Sequence, residues 1–349
     1  DRYIADYLME EVLLRLPAER LSFLLQTCIL DRLTADLCNA VTERTDAHST
    51  LWALEAANLF LTPLDNNRQW YRYHRLFADL LRQRLHESGQ ERAVLHRRAA
   101  DWFNSHHMLP EAVDQALEAG DEFFAMDLML LAAPDLFRAS RLSLLTRWSS
   151  RLTDDVVAQR PRLLLAFCWA WIATGHPESA ERCVRLYEAA VGHPTAVLCR
   201  PAETLEASPL TPELLAGLVE AAAVWSRLYV NRLEIDTALL YCRCGLRVLE
   251  TLTADPQRNV VEPPPTRPDD WPPFFNALAA IRPVLHFNMG LALKFVNDIG
   301  PARDALSTAA IEAQEQGNVH LIALAYGHLA EAERLQGHWR AALDTCARG

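Results

Sequence analysis

The sequence predicts an all-α protein with one small β element: an N-terminal winged helix with a β-hairpin, followed by a tetratricopeptide-like α-solenoid. Three observations predict this fold class. Amphipathic helical segments fill most of the chain, half of its 349 residues are hydrophobic, and glycine is scarce at 12. One segment near residue 65 has the pattern of a hairpin, and a glycine–alanine spacing recurs beyond residue 90.

The winged helix is predicted for residues 17–88. Several short amphipathic segments are followed by LFLTPLDNNRQWYRYH, in which DNN at residues 65–67 interrupts an apolar run and three aromatic residues follow within residues 70–73. Asp and Asn favour tight turns, and aromatic residues at alternating positions favour strands. Short helices together with a small hairpin indicate a winged helix.

The repeat is predicted from a glycine that is followed five residues later by an alanine. The four matches are Gly120 with Ala125, Gly175 with Ala180, Gly300 with Ala305, and Gly337 with Ala342. Counting back twelve residues from Ala180, Ala238 and Ala112 gives a small residue, with an aromatic three residues later. The pairs are Cys168 with Trp171, Ser226 with Tyr229, and Ala100 with Phe103, while Leu293 with Val296 and Ala330 with Glu333 match less well. Small residues let two antiparallel helices approach closely, as a tetratricopeptide unit requires.

The repeat also sets the predicted domain limits. We expect a helical arm over residues 89–160 and the repeat array over residues 161–349, with extra helices where the repeats are widely spaced. Residues 255–273 contain three consecutive prolines, which forbid a helix interior. We interpret this segment as a loop within the array rather than as a ligand for a proline-binding module.

Composition argues against several classes of partner. The formal net charge of −11 would be repelled by a phosphate backbone or an anionic membrane surface. Neither a signal peptide nor an apolar run of membrane-spanning length is present, and the eight cysteines contain no CxxC pair. We therefore predict a cytoplasmic protein with buried, reduced thiols.

No residue pattern predicts catalysis or a metal site. The sequence has no GxSxG elbow, and His96, His106 and His107 have no carboxylate at a spacing that would complete a tetrahedral set. Arginines are frequent from Arg68 to Arg98, but acidic residues interleave with them, so we expect no direct DNA binding. The sequence predicts a protein that is not an enzyme.

A binding surface is predicted on the concave side of the array, where the repeat register directs polar side chains of both charge signs. The candidates for effector binding are Trp169, Arg227, Asn231, Lys294, Asn297, Asp298, Glu331 and Arg334. Such a mixture suits a small polar ligand or a peptide. The alternative is that these side chains only form the solvated faces of helices.

Four sequence runs resemble one known family. FLLQTCILDRLTADLCNAVT, LEAANLFLTPLD, WYRYHRLFADLLRQRL and LPEAVDQALEAGDEFFA resemble the winged helix and following arm of the LuxR-type transcriptional activators of the maltose-regulator class. These activators are signal-transducing ATPases with numerous domains. The resemblance is dense over residues 1–131 and general afterwards.

The resemblance implies an order of domains. The family has a P-loop nucleotide domain, a winged helix, a helical array that receives an inducer, and a helix-turn-helix that binds DNA. This chain has no GxxxxGK[ST] run and no terminal helix-turn-helix of the family's kind. We therefore expect it to be the regulatory middle section of a longer activator, and residues 1–16 to end the helical domain of an absent nucleotide-binding module.

The implied partners are an effector, the upstream nucleotide domain and the downstream helix-turn-helix of the same parent chain. ATP or ADP is implied for the full-length protein only, and no cofactor for this chain. The family's use of a winged-helix histidine near the ADP phosphates implies that role for His74, with Arg72 beside it. Alternatively, His74 only packs against the hairpin. For the whole chain, the alternative is a free-standing tetratricopeptide-like scaffold that binds other proteins.

Overall fold

The structure is a computed structural model that describes residue 13 and residues 15–87, 92–206, 210–254 and 281–348. The chain divides into two compact units, Asp1–Ala132 and Ala133–Gly349. Residues 1–16, predicted to end the helical domain of a nucleotide-binding module, lie largely outside the described residues, as do the predicted Pro-rich loop and the predicted boundary at residues 88 and 89.

The first unit contains short helices and one hairpin. In order these are α1 Ala18–Thr27, α2 Ala35–Thr42, α3 Ala47–Ala56, β1 Leu61–Pro63, β2 Tyr71–Tyr73, α4 Arg75–Glu87, α5 Arg92–Ser105, α6 Leu109–Glu118, and α7 Glu122–Arg138, which continues into the second unit. Local sequence explains their limits: the Thr34 hydroxyl accepts a hydrogen bond from the Leu37 amide at 3.1 Å and caps α2. Glu43 has a left-handed φ of 56° and ends the same helix.

The predicted hairpin is present. Strands β1 and β2 are antiparallel, with Leu61 opposite Tyr73. The Asp65 carboxylate accepts hydrogen bonds from the amides of Gln69 at 3.1 Å and Trp70 at 2.7 Å, and these amides hold the pKa of Asp65 below its usual range. The Asp65 carboxylate therefore stabilises the turn of the hairpin.

The hairpin buries one of its faces against the helices. The Tyr73 hydroxyl lies 2.7 Å from the Thr27 hydroxyl of α1, and both residues are buried. The Phe77 ring of α4 packs 5.0 Å from Phe60 and 6.0 Å from Tyr73. These contacts join α1, the hairpin and α4 into one core, which is the winged helix that the sequence predicts.

The second unit is helical in its described part. Its elements are α8 Leu142–Ser149, α9 Asp154–Val157, α10 Pro161–Ala173, α11 Pro177–Val191, a 3₁₀ helix Thr195–Cys199, α12 Ala202–Glu206, α13 Pro212–Asn231, α14 Ile235–Ala254, α15 Arg282–Phe295, α16 Ile299–Glu315, α17 Val319–Leu335 and α18 Trp339–Cys346. Four helix pairs follow one another: α10 with α11, α13 with α14, α15 with α16, and α17 with α18. The predicted all-α solenoid is confirmed.

One turn geometry connects the two helices of each pair, and it also connects α5 with α6 in the first unit. The second residue after the first helix has a left-handed φ in all five turns. These residues are His107 at 57°, Gly175 at 81°, Leu233 at 62°, Asn297 at 60° and Gly337 at 81°. The next amide then donates back across the turn, as His176 does to the Trp171 carbonyl at 2.8 Å.

This geometry corrects the predicted register of one repeat. In the pair α15–α16 the left-handed residue is Asn297, and the alanine five residues later is Ala302, rather than Gly300 and Ala305. Counting back twelve residues from Ala302 gives Gly290, a small residue like those of the other pairs. The prediction was wrong here because it searched for glycine, whereas Asn also tolerates a left-handed φ.

At Gly290 the helices α15 and α16 approach each other closely. A Cβ at this position would lie 2.6 Å from Leu306 Cγ and 3.1 Å from the Ala302 carbonyl oxygen, and Leu306 is fully buried. The small residue that the repeat requires therefore has a direct steric cause in this pair.

We expect Gly290→Ala to destabilise the protein by about 1–2 kcal/mol in chemical denaturation. Overpacking a close helix contact costs about 1–3 kcal/mol, and the better helix propensity of Ala returns about 0.5–1 kcal/mol. Gly327→Ala is the matched control, because Gly327 lies within α17 with no heavy atom within 4 Å of its added Cβ. This control should be stabilised by about 0.5–1 kcal/mol; equal effects of both substitutions would contradict the close approach.

The cysteines partly contradict the prediction of reduced thiols. Cys199 and Cys244 form a disulfide with their Cα atoms 5.1 Å apart, which joins the 3₁₀ helix to α14. Cys28, Cys38, Cys168, Cys183 and Cys242 are free and buried, as predicted, and Cys346 is free and exposed. The pairing was missed because the two partners are 45 residues apart and only the fold brings them together.

Thiol titration of the denatured protein should therefore give six free thiols without reductant and eight after reduction. A double substitution of Cys199 and Cys244 by Ser should reduce stability by about 2–4 kcal/mol, because the disulfide restricts the unfolded chain. Cys346→Ser is the control and should lower both thiol counts by one without this loss. Eight free thiols in the unreduced protein would contradict the disulfide.

Within the described residues, no helix combines the length and the apolarity that a membrane crossing needs.

Candidate effector-binding face

The first helices of the four pairs in the second unit present side chains with polar groups on one side. Trp169, Arg227 and Glu331 directly follow the small residue of α10, α13 and α17, and Lys294 follows Gly290 of α15 by four places. Positions one and four places after the same residue lie on one side of a helix. We call these four side chains and their contacts the first-helix face.

At α10 and α13 the face contains a hydrogen-bonded carboxyl group. The Trp169 indole Nε1 donates to Glu220 Oε1 at 3.0 Å. Burial raises the pKa of Glu220 to about 7, although the Trp169 hydrogen bond and the nearby charge of Arg162 both oppose the rise. Glu220 therefore titrates near neutral pH.

At α15 and α17 the face contains an ion pair. Lys294 Nζ lies 2.5 Å from Glu331 Oε2 and 3.0 Å from His328 Nδ1. The Lys294 side chain is only 12% exposed, whereas Glu331 is 43% exposed. The hydrogen bond from Lys294 lowers the pKa of Glu331, and burial followed by the charge of Lys294 lowers the pKa of His328. At neutral pH Glu331 is therefore ionised and His328 is neutral.

Arg227 lies between these two groups along the array. Its guanidinium is 5.6 Å from the centre of the Phe287 ring, and that ring is 5.7 Å from the His328 ring. Its Nη1 atom is buried and has no hydrogen-bond partner among the described residues. Burial lowers the pKa of Arg227, but a guanidinium remains charged at neutral pH.

A buried amide fixes Arg227 against Phe287. The Asn288 side chain is 1% exposed and donates to the Ala223 carbonyl at 2.9 Å and to the Ser226 hydroxyl at 3.0 Å. Asn288 follows Phe287 in α15, and Ser226 precedes Arg227 in α13. Since these hydrogen bonds join the two helices beside both residues, they position the guanidinium over the ring.

The structure thus brings part of the predicted set together. Arg227, Lys294 and Glu331 are connected through Phe287 and His328, and Trp169 joins the face through Glu220. The remaining four candidates are exposed at helix ends or in turns: Asn231, Asn297, Asp298 and Arg334. Asn297 and Asp298 were included because the register of that repeat was counted from Ala305.

Sequence reasoning missed Phe287, His328 and Glu220. With the register counted from Ala302, Phe287 lies three places before Gly290 and so on the same side of α15 as Lys294. This signal was available in the sequence. The raised pKa of Glu220 could not be read from the sequence, because it depends on burial by side chains that are distant in the sequence.

Arg72 and His74 belong to the first unit. Both are exposed and lie two residues apart at the end of the hairpin, whereas the alternating residues Tyr71 and Tyr73 are buried. The His74 amide donates to the Phe60 carbonyl at 2.7 Å, which ties its backbone to the hairpin. Both side chains are therefore accessible to a partner.

His96 and His106 have local partners. His96 is buried, with its Nδ1 atom 2.7 Å from Gln115 Oε1, and burial lowers its pKa. The His106 ring stacks on Trp102 at 3.8 Å between centroids. Among the residues that the structure describes, no three His, Cys, Asp or Glu side chains come close enough to hold a metal ion.

We expect the pKa of Glu220 to make stability pH-dependent. Its folded-state pKa is about 7 and its ordinary value is 4.5, so the folded protein binds the proton more tightly. This contribution to stability is fully present below about pH 4.5 and is lost as the pH rises through about 7, by up to about 1.4 kcal/mol per pH unit. The difference in unfolding free energy between wild type and Glu220→Gln should show this slope; a difference that is constant from pH 5 to 8 would contradict it.

The fold and the face together define a winged-helix protein with a tetratricopeptide-like helical array. Comparison with known families agrees, because residues 9–93 match the MalT winged helix domain. The first unit therefore contains a segment similar to the MalT winged helix domain, and the resemblance to the maltose-regulator class of LuxR-type activators is confirmed.

Two curated proteins illustrate the similarity. Serine/threonine-protein kinase PknK of Mycobacterium tuberculosis (strain ATCC 25618 / H37Rv) is 36% identical over 190 residues, which cover 54% of this chain and 17% of PknK. HTH-type transcriptional regulator MalT of Klebsiella pneumoniae (strain 342) is 34% identical over 168 residues, which cover 48% of this chain and 19% of MalT. The chain thus spans less than a fifth of the length of these relatives.

Among solved structures, a Signal Transduction ATPase with Numerous Domains with a tetratricopeptide repeat sensor, from Pyrococcus horikoshii, aligns with a TM-score of 0.49. The two chains are 13% identical, and the alignment covers 97% of this chain and 51% of the other.

Proposed function

We propose that this chain is the regulatory middle section of a bacterial LuxR-type transcriptional activator, in which the helical array senses an effector and controls an ATPase switch. The observation that carries the proposal is the first-helix face. Four successive helix pairs direct Trp169, Arg227, Lys294 and Glu331 to one side of the array. Folding of a solenoid requires only solvent-exposed residues on that side, so interacting side chains there favour a binding role. A segment similar to the MalT winged helix domain precedes this face.

The proposed switch is a population shift. Effector binding to the array would favour one of two states of the parent protein, in proportion to the difference in affinity between them. The exposed pair Arg72 and His74 is suited to contact a phosphate of a nucleotide held by a neighbouring P-loop domain, since Arg72 is a permanent cation and a histidine can donate. The nucleotide domain, the helix-turn-helix and a cytoplasmic location belong to this proposal.

The proposal assigns no reaction to the chain itself. PknK is named a kinase, but the matched stretch is 17% of that protein. The side chains of the first-helix face form ion pairs, stacking contacts and hydrogen bonds, and these contacts explain binding without requiring a nucleophile.

A protein-binding scaffold is the second candidate. Large apolar side chains are exposed on the last helix pair, where Val319 is 76%, Trp339 61% and Leu343 71% exposed. Exposed apolar side chains of this kind favour contact with another protein surface. The two candidates differ in the ligand, which is a small molecule for the sensor and a protein for the scaffold.

A thermal-shift screen against sugars, nucleotides, amino acids and short peptides tests the sensor. A ligand that binds only the folded state raises the melting temperature with its occupancy, and one at 100 times its Kd adds about 2.7 kcal/mol. We expect one class to raise the melting temperature, and we expect Lys294→Ala to abolish that shift. Arg303→Ala is the control, because Arg303 lies on α16 and pairs with Asp304.

Two results would contradict the sensor. A ligand whose effect is equal in wild type and Lys294→Ala would bind elsewhere. Binding of protein partners alone, with no response to any small molecule, would favour the scaffold.

A further inference from the structure

We propose that Arg227, Phe287, Lys294, His328 and Glu331 form an anion-binding site that takes a singly charged oxyanion, a carboxylate or a phosphate monoanion, on the effector. The inference rests on the proposed sensor function and names the chemistry that the array would recognise. It depends on the charges of these side chains and on a buried donor, Arg227 Nη1, for which the described residues offer no acceptor.

The charges of the site do not cancel. Lys294 is neutralised by Glu331, with 2.5 Å between Nζ and Oε2. Arg227 faces the π-face of Phe287, and its buried Nη1 atom has no hydrogen-bond partner in the described part of the chain. With His328 neutral, two cations and one carboxylate leave one positive charge, within a chain whose net charge is −11.

Burial makes this charge significant for binding. An unpaired guanidinium that is partly removed from water loses hydration without gaining a counterion, so the folded state holds it at a cost. An oxyanion at the guanidinium would offset that cost through charge-assisted hydrogen bonds, and the planar fork of Arg matches a carboxylate or a phosphate. The site is therefore more complementary to an anion than to a neutral or cationic ligand.

His328 supplies a second donor. Its Nδ1 atom lies 3.0 Å from the Lys294 ammonium, which has only protons to offer, so a neutral His328 accepts there and carries its own proton on Nε2. The pKa of His328 is lowered by burial and by Lys294, which keeps the ring neutral at neutral pH. The ring thus presents an N–H on the side opposite Lys294.

Glu331 limits the charge of the ligand. It holds Lys294 in place and reduces the charge of the site from two to one. It is also more exposed than Lys294, so its carboxylate repels a second negative charge on an incoming ligand. The site should therefore prefer a singly charged group to a polyanion.

Calorimetric titration at constant ionic strength tests the site with propionate, inorganic phosphate and the uncharged propionamide. We expect propionate, phosphate or both to bind, and propionamide to bind at least tenfold more weakly. The two anions distinguish carboxylate from phosphate recognition. Arg227→Gln should weaken anion binding at least tenfold, whereas Arg303→Gln on α16 should change it less than twofold.

Glu331→Gln separates an electrostatic role from a structural one. Removing this carboxylate raises the charge of the site, so anion affinity should increase several-fold even if Lys294 becomes more mobile. Circular dichroism and the melting temperature of each variant show whether it is folded. If Arg227→Gln does not fold, the increase in affinity of Glu331→Gln and the preference for propionate over propionamide still decide the question.

Three outcomes would overturn the inference: equal binding of propionate and propionamide, no binding of either anion, or weaker anion binding by Glu331→Gln. The proposed sensor function would survive each of them if the thermal-shift screen finds a neutral ligand whose effect Lys294→Ala abolishes. Absence of any small-molecule response in that screen would instead contradict the sensor function itself.

Discussion

The second unit depends on one geometric constraint, the close antiparallel packing of two helices joined by a turn with a left-handed residue. The turn needs positive φ two residues after the first helix, and the packing needs a small residue on that helix twelve places before an alanine of the second. Gly290 shows why, since any Cβ there would meet Leu306 and the Ala302 carbonyl oxygen. The same spacing fixes which side chains of each first helix remain available for binding.

That constraint explains how an array with degenerate repeats forms an ordered face. Because the register repeats, Trp169, Arg227 and Glu331 occupy one position on three helices, and their contacts extend from one pair to the next. Asn288 adds a buried hydrogen-bonded connection that apolar packing alone would not give, because its amide must face Ala223 and Ser226 to be satisfied. Packing sets the spacing of the helices, and this amide fixes the registry between α13 and α15.

The fold class and the winged helix could be predicted from the sequence because they follow from local patterns. The helical period, the DNN turn and the glycines at positions 175 and 337 are each visible within a few residues. The turns at Leu233 and Asn297 were not visible, since neither residue is a glycine and Leu rarely adopts a positive φ. One turn missed in this way moved the register of a repeat by three residues, which placed Asn297 and Asp298 on the binding face.

Contacts across long sequence separations could not be predicted. The Cys199–Cys244 disulfide, the Trp169–Glu220 hydrogen bond and the stacking of Arg227 on Phe287 all join residues at least 45 positions apart. Three of the eight candidate residues nevertheless lie in the connected group, because helical register is a local property even when the contacts are not. The pKa of Glu220 depends on tertiary burial and has no counterpart in the sequence.

The chain of contacts from Arg227 through Phe287 and His328 to Glu331 crosses three consecutive helix pairs. A molecule bound along these contacts would therefore fix the spacing between the three helix pairs. Conversely, any force that winds or unwinds the solenoid alters the spacing of these side chains. Ligand binding to the face and the curvature of the array are thus coupled. Binding at one point therefore affects the geometry of the array along its length.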